Sequence, residues 1–189
     1  MTSILKDIIT VMETDRLILR MPQIGDGKVV NDAIVRSVDD LKPWLPFVQT
    51  LPTVDDTEEN IREAVANFIR RTALRFLIFS KETNEFIGTT GFHNIDWDVQ
   101  KLEIGYWIDT QHSGKGYMVE AIEELTRYAL EDLGMKRVEI RTEAENLKSR
   151  AIPEKIGFRL EGILVNEDLS VDGKRWTDTC IYAITVKKP

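Results

Sequence analysis

The chain has 189 residues, with 25 Lys and Arg against 32 Asp and Glu, so its formal net charge is −7. This size suits one domain, and the acidic balance argues against nucleic acid as a partner, because binding it needs a basic face. A lone cysteine, Cys180, excludes an internal disulfide, and two histidines leave little for a metal site, so we expect no bound metal. No apolar run approaches the roughly 20 residues of a membrane span, and Met1–Arg20 lacks the pattern of a secretory signal. We therefore expect a cytoplasmic protein that does not bind membranes.

The predicted elements, taken in chain order, are a mixture of strands and helices. Residues 1–12 are apolar and irregular, and we expect an N-terminal extension or a short helix there, before a single domain over residues 13–187. Alternation of apolar and polar residues predicts strands at 14–20, 75–80, 85–93, 101–109, 136–142, 158–165 and 177–186. Helical spacing predicts helices at 26–37, 57–73, 116–133 and 147–156. This order indicates a single-domain mixed α/β (α+β) sheet of about seven strands with helices on both faces.

The ends of two helices follow from local chemistry. Thr57 is followed by two acids, which predicts the N-cap of the second helix. Either Asn146 or Ser149 can cap the last helix. Pro153 lies within that helix and lacks an N–H group. We expect it to be tolerated only if the helix starts near Ser149 or Arg150, where the first N–H groups lack partners in any case.

A glycine-containing turn joins the strand at 101–109 to the most regular predicted helix. Gly114 and Gly116 allow backbone conformations that are closed to other residues. Backbone N–H groups of such a turn, together with those of the first helical turn, can converge on an anion, and Lys115 adds a cation. The pattern predicts a phosphate cradle, with an ordinary glycine turn as the alternative. It fits neither the P-loop nor the dinucleotide-binding pattern.

Two motifs together resemble the GNAT superfamily of acetyltransferases. Gln111–Gly116 matches its Q/R-x-x-G-x-G/A signature, and Asn146–Phe158 matches the N-x-x-S…E-K-x-G-F segment that follows in that family. The runs TDRLILR, EIGYWI and FRLEG resemble the RimJ/RimL branch, which acetylates the N-termini of ribosomal proteins. The resemblance covers roughly residues 12–186. It implies the acyl-CoA N-acyltransferase fold, with a sheet that splays apart at its centre.

The resemblance also implies the cosubstrate, acetyl-coenzyme A (acetyl-CoA), and where it lies. Its pyrophosphate would lie on the glycine turn, and its pantetheine arm between the strands at 101–109 and 136–142. Backbone N–H groups near Trp107 and Ile108 would face the thioester carbonyl, where a preoriented donor stabilises the developing oxyanion. The expected cofactor-binding residues are Trp107, Ile108, Asp109, Gln111, Ser113, Gly114, Lys115, Gly116, Tyr117, Asn146, Ser149 and Lys155.

The catalytic groups follow from the reaction that the resemblance implies. An ammonium group must lose a proton before it can attack a thioester, so a proton acceptor is needed. We expect Glu103 to fill this role, and Glu161, Glu167 and Asp168 remain alternatives. Many family members place a Tyr directly before E-K-x-G-F as the acid for the departing thiolate. Pro153 stands there in this chain, so we expect Ser149 to stabilise the thiolate.

The expected function is transfer of an acetyl group to a primary amine by direct attack in a ternary complex. The branch suggests the N-terminal α-amino group of a ribosomal-protein-like protein as acceptor. A small amine (a polyamine, an amino acid or an antibiotic) is the first alternative. A non-catalytic coenzyme-A sensor is the second, and the absence of the usual Tyr favours it. The oligomeric state stays open, a homo-oligomer included.

Overall fold

The computed structural model of the protein describes residues 3–186, which contain four helices and one eight-stranded sheet. The strands are β1 Val11–Glu13, β2 Leu17–Arg20, β3 Leu74–Ser80, β4 Phe86–Asp96, β5 Lys101–Ile108, β6 Arg137–Glu143, β7 Arg159–Leu169 and β8 Trp176–Thr185. The helices are α1 Gly27–Leu41, α2 Val54–Arg70, α3 Tyr117–Arg127 and α4 Leu147–Lys155. A π-helical turn, Tyr128–Asp132, continues α3, and short 3-10 turns cover Ser3–Leu5, Pro46–Val48 and Thr110–His112. No helix in this range has the length and apolar character to cross a membrane.

The sheet is split between two parallel strands at its centre. The strand order is β1-β2-β3-β4-β5-β6-β8-β7, and β5 with β6 is the parallel pair within the described residues. Their pairing is short and joins Lys101–Glu103 to Arg137–Glu139. Beyond Glu103 the two strands diverge, while β4 continues to pair with β5 and β8 with β6. The prediction of a mixed, centrally splayed sheet is therefore confirmed.

The eighth strand lies at the edge of the sheet, within the segment predicted as an N-terminal extension. β1 pairs antiparallel with β2, Val11 opposite Arg20, and buries Met12. Three residues are too short for alternation to indicate a strand, which explains why the predicted count was seven. The short helix predicted there is present as the 3-10 turn at Ser3–Leu5. Residue 187, the last of the predicted domain, lies outside the described residues.

Strand alternation builds an apolar core on each face of the sheet. In β3, Phe76 and Ile78 pack with α3 residues such as Ile122 in one buried cluster. The intervening Leu77 and Phe79 pack with α1 in a second cluster. Successive side chains of a strand point to opposite faces, so the helices cover both sides, as predicted.

The start of α2 differs from the prediction. Thr53, not Thr57, is the N-cap: its hydroxyl accepts from the Asp56 N–H at 3.1 Å, and the Asp56 carboxylate accepts from the Thr53 N–H at 2.9 Å. This reciprocal pair is a capping box, whose signature is spread over four residues. Thr57 is instead buried inside the helix, where its hydroxyl accepts from Asn31 Nδ2 at 2.9 Å.

The start of α4 agrees with the predicted helix at 147–156 and with Asn146 as one of its two predicted caps, but the expected position of Pro153 in the first turn is wrong. Asn146 is the N-cap and accepts from the Ser149 N–H at 3.1 Å, so Pro153 lies well inside the helix rather than in its first turn. A proline there leaves the carbonyl four residues earlier, that of Ser149, without its helical donor. The Tyr106 hydroxyl of β5 donates to this carbonyl at 2.8 Å. A side chain from the sheet thus replaces the missing N–H group.

Candidate active site

The gap between β5 and β6 exposes an edge of strand backbone. Residues 88–96 of β4 hold the other edge of β5 by antiparallel pairing. Beyond Glu103 no β6 partner is recorded for β5 within the described range. Peptide groups at such an open edge can bind an extended ligand as a neighbouring strand would.

The glycine turn lies directly after β5 and opens α3. Gly114 and Gly116 have φ angles of 76° and 79°, in the left-handed region where a side chain is strained. Gly116 is the N-cap of α3 and offers no side chain, so the first N–H groups of the helix have no side-chain cap. Free N–H groups and the helix dipole favour an anion at this position. The turn predicted as a phosphate cradle therefore has the required backbone geometry.

Arg16, which sequence reasoning missed, braces this turn from the start of β2. Its Nε donates to Glu120 at 2.6 Å, and its Nη1 donates to the Lys115 carbonyl at 3.1 Å. Its guanidinium carbon lies 4.6 Å from the centre of the Tyr117 ring. Burial would raise the pKa of Glu120, but hydrogen bonds from Thr14 and Arg16 outweigh it and lower the pKa. Glu120 therefore stays charged and holds Arg16 against the turn.

The carboxylate of Asp109 is turned away from the gap. It is fully buried and accepts from Arg36 Nη2 at 2.6 Å, from the Ser37 hydroxyl at 3.3 Å and from the Gln111 N–H at 3.1 Å. These contacts fix the end of β5 to α1 and cap the short turn before the glycines. The backbone of Asp109 is occupied as well, because its N–H donates to the Ile87 carbonyl at 2.9 Å and its carbonyl accepts from the His112 N–H at 2.9 Å. Asp109 is thus committed to the fold, and the structure leaves it no free group for the predicted cofactor contact.

The remaining predicted cofactor residues fall into two places. Gln111, Ser113 and Lys115 are exposed on the glycine turn. Asn146 and Ser149 lie at the start of α4, whereas Lys155 is exposed at its far end. At 1.5 Å per residue, Lys155 lies roughly 13 Å beyond Asn146 and roughly 9 Å beyond Ser149 along the helix axis. The structure does not bring Lys155 together with the other two α4 residues.

Ser149 meets the sheet through Tyr106. The Ser149 hydroxyl donates to the Tyr106 hydroxyl at 3.2 Å, while that hydroxyl donates to the Ser149 carbonyl. Burial raises the pKa of Tyr106 to about 12, so it stays protonated at neutral pH. Glu103 and Tyr106 are three residues apart on β5 and so lie on opposite faces of the sheet. The two predicted catalytic residues, Glu103 and Ser149, therefore belong to different sides of the strand.

A cavity of about 540 Å³ lies on the Glu103 side of β5, between the sheet and α1, α2 and the loop after α1. Its walls are mainly apolar, and the Trp107 ring packs beside Phe47 and Phe86 at 6.4 and 5.8 Å between ring centres. Among its few polar residues are Asp56, Asn60, Arg75 and His93. The volume is in the range of small-molecule sites.

His93 and Glu103 form a cross-strand pair at this cavity. They are directly opposite each other in the β4–β5 register, and His93 Nε2 lies 3.2 Å from Glu103 Oε1. Asn94 Nδ2 donates to the other oxygen at 3.0 Å. Burial would raise the pKa of Glu103, but the hydrogen bonds from His93 and Asn94 and the charge of Arg141 outweigh it and lower the pKa. Sequence reasoning missed His93, because the pair depends on a register that the sequence does not specify.

The alternative carboxylates lie elsewhere. Glu161, Glu167 and Asp168 belong to β7, and two strands separate β7 from β5. Hydrogen bonds from Arg137 and Arg159 lower the pKa of Glu161 to about 2. Such a carboxylate accepts a proton poorly at neutral pH.

A split sheet beside a glycine turn that opens a helix defines an N-acyltransferase fold. The chain belongs to the GNAT acetyltransferase family, because the family pattern described as "Acetyltransferase (GNAT) domain" matches residues 16–159. The predicted family resemblance is confirmed.

Named relatives agree with this assignment. The chain is 33% identical over 155 residues to an uncharacterized N-acetyltransferase p20 of Bacillus licheniformis, covering 80% of this chain and 83% of the relative. It is 30% identical over 140 residues to the ribosomal-protein-serine acetyltransferase of Escherichia coli, covering 74% of each. The structure of RimL, a ribosomal L7/L12 α-N-protein acetyltransferase in complex with coenzyme A, superposes with a TM-score of 0.86 at 21% identity, covering 93% of this chain and 98% of RimL.

Proposed function

We propose that the protein transfers the acetyl group of acetyl-CoA to the N-terminal α-amino group of a protein, and that this acceptor resembles a ribosomal protein. The observation that carries this proposal is the arrangement around β5. The glycine turn follows the end of β5, and the open edge of the strand faces the gap to β6. The cavity lies on a face of the sheet, beside Gly105 and Trp107. Two substrates can therefore approach the same strand without competing for space, as direct attack in a ternary complex requires.

The cosubstrate half of the site consists largely of backbone. The pyrophosphate lies on the N–H groups around Gly114 and Gly116, and the pantetheine arm takes the place of a strand in the β5–β6 gap. Backbone N–H groups near Trp107 and Ile108 face the thioester oxygen, where they are worth most once negative charge develops. Cofactor affinity should then depend more on the conformation of the turn than on any one side chain.

Departure of the thiolate is assigned to the α4 side of the strand. The Ser149 hydroxyl is held next to the Tyr106 hydroxyl, so two donors lie together at the start of α4. A hydroxyl that rotates from Tyr106 to the sulfur stabilises the leaving thiolate without full proton transfer. This arrangement supports Ser149 in a chain with no Tyr at position 153.

The acceptor half is the cavity. A volume of about 540 Å³ fits a small amine or the first residues of a peptide. The protein-terminus acceptor is favoured by the relative named as a ribosomal-protein-serine acetyltransferase. Small amines are the alternative acceptors, because the cavity is also large enough to hold one.

An acceptor panel tests the proposal. Release of free thiol from acetyl-CoA is measured with peptides that begin with different residues and with polyamines, amino acids and aminoglycosides. The matched control is each peptide with its N-terminus blocked, which keeps every side chain. We expect turnover with free peptides and none with blocked ones. Turnover confined to small amines would mean that the acceptor is a small amine and not a protein N-terminus. Calorimetric binding of acetyl-CoA without turnover on any amine would indicate a coenzyme-A sensor.

A further inference from the structure

We propose that His93 is the proton acceptor for the attacking amine and that Glu103 is the residue that positions it. The proposal rests on the proposed function, since it concerns the same acceptor cavity. It differs from the sequence expectation, in which Glu103 itself takes the proton. The two side chains differ in how freely they can meet an amine.

Glu103 is occupied and shielded. One carboxylate oxygen faces His93 Nε2 at 3.2 Å, and the other accepts from Asn94 at 3.0 Å. Its side chain is 14% exposed, against 43% for His93. An amine in the cavity would have to displace one of these donors to reach Glu103.

His93 is placed to receive the proton. Its side chain lines the cavity, and its ring lies over Gly105, where an added Cβ would come within 3.1 Å of Cε1 and 3.4 Å of Nδ1. When Nε2 donates to Glu103, the neutral ring carries its lone pair on Nδ1. A carboxylate that fixes the tautomer of a histidine and stabilises its cationic form is the arrangement found in catalytic triads.

The reach to the reacting carbon is short enough for one bridging water. Gly105 and Trp107 are on the same face of β5, two residues apart, which corresponds to about 7 Å along a strand. The thioester oxygen is expected beside Trp107. Because this separation exceeds the roughly 3 Å of a direct hydrogen bond, the proton would travel to His93 through a bridging water molecule.

The step balances without any further reactant. The amine nitrogen forms a bond to the thioester carbon, the carbon–sulfur bond breaks, and coenzyme A leaves as its thiolate. The proton lost from nitrogen goes to His93 Nδ1, and the resulting imidazolium is paired with the Glu103 carboxylate.

Three charged groups face His93 from the elements packed around it. Glu103 lies across from it on β5, Arg75 lies on β3 and Asp56 on α2, both at the cavity wall. The charge of Arg141 on β6 contributes to the lowered pKa of Glu103. The charge of Glu103 should therefore influence how readily His93 accepts the proton.

The test is the pH dependence of turnover, with the best acceptor of the panel, for wild type, His93→Gln and Glu103→Gln. We expect kcat of His93→Gln to fall on the order of 100-fold, with acetyl-CoA affinity within twofold of wild type and with an acidic limb set only by the acceptor amine. We expect Glu103→Gln to shift the acidic limb to lower pH than in wild type, because the imidazolium loses its carboxylate partner. Imidazole added to His93→Gly should restore part of the rate.

Two results overturn the proposal. One is a wild type that turns over while His93→Gln keeps kcat within twofold and the same acidic limb. The other is a Glu103→Gln variant that loses activity with the limb unmoved, which would return the proton-accepting role to Glu103. A wild type that transfers acetyl to no amine would remove the proposed function as well. If His93→Gln does not fold, the pH position of the acidic limb in Glu103→Gln decides between the two residues by itself.

Discussion

Replacing Tyr106 with Phe removes one hydroxyl and tests how a proline is accommodated in α4. The Ser149 carbonyl lacks its helical donor because residue 153 is proline, and the Tyr106 hydroxyl donates to it at 2.8 Å. A net contribution of about 1 kcal/mol per hydrogen bond is typical, and a buried carbonyl left without a partner costs about 1–3 kcal/mol. We expect Tyr106→Phe to lower the free energy of unfolding by about 2 kcal/mol, measured by urea denaturation.

A double-mutant cycle with Pro153→Ala separates this contact from the loss of a hydroxyl in general. Alanine at 153 restores an N–H group that can donate to Ser149. Tyr106→Phe should then cost at least 1 kcal/mol less in the Pro153→Ala background than in wild type, which exceeds the roughly 0.5 kcal/mol within which independent sites add. Equal costs in the two backgrounds would refute the reasoning. Equal m-values across the four proteins are the control that their unfolded states are comparable.

Three further predictions concern the glycine turn, its brace and an ion pair. Gly116→Ala should lower the free energy of unfolding by about 1–2 kcal/mol, because a φ of 79° strains any residue with a side chain. It should also weaken acetyl-CoA binding in calorimetry. The control is Gly173→Ala in the β7–β8 turn, where φ is 71°: it should lower stability by a similar amount and leave binding unchanged. Arg16→Gln should weaken acetyl-CoA binding several-fold with little change in the free energy of unfolding. Unchanged affinity would contradict the role of Arg16 in holding the glycine turn. The pKa of Glu161 is lowered from 4.5 to about 2, so its stabilisation is present above pH 4.5 and lost as the pH falls through 2. Glu161→Gln should therefore be less stable than wild type near pH 6 and match it near pH 2, as measured by thermal unfolding.

Much of the fold could be predicted because each element carries its own signal. The helix after the glycine turn is regular in sequence, and the structure has it as α3 with a π-helical continuation to Asp132. The splayed sheet followed from the family resemblance, not from periodicity. The start of α2 was missed because acids follow both Thr53 and Thr57. The capping box of Thr53 with Asp56 and the burial of Thr57 against Asn31 distinguish the two in the structure.

The candidate site was less predictable because its side chains meet across strands. Glu103 and His93 are ten residues apart and become neighbours only through the β4–β5 register. Tyr106 meets Ser149 across a distance of 43 residues in the chain. A local pattern can mark a turn or a cap, but pairings of this kind depend on how strands align.

The register of β5 therefore decides the chemistry of both halves of the site. Glu103, Gly105 and Trp107 share one face of β5, the last two lining the cavity, and the Tyr106 hydroxyl meets α4, because side chains alternate along a strand. A shift by one residue would exchange these faces and separate Glu103 from His93. Gly88 of β4 helps to fix the alignment, since a Cβ there would collide with the Trp107 carbonyl. Close approach of β4 thus holds β5 with Glu103 beside His93 on one face and with Tyr106 beside Ser149 on the other, which is the arrangement that the proposed mechanism requires.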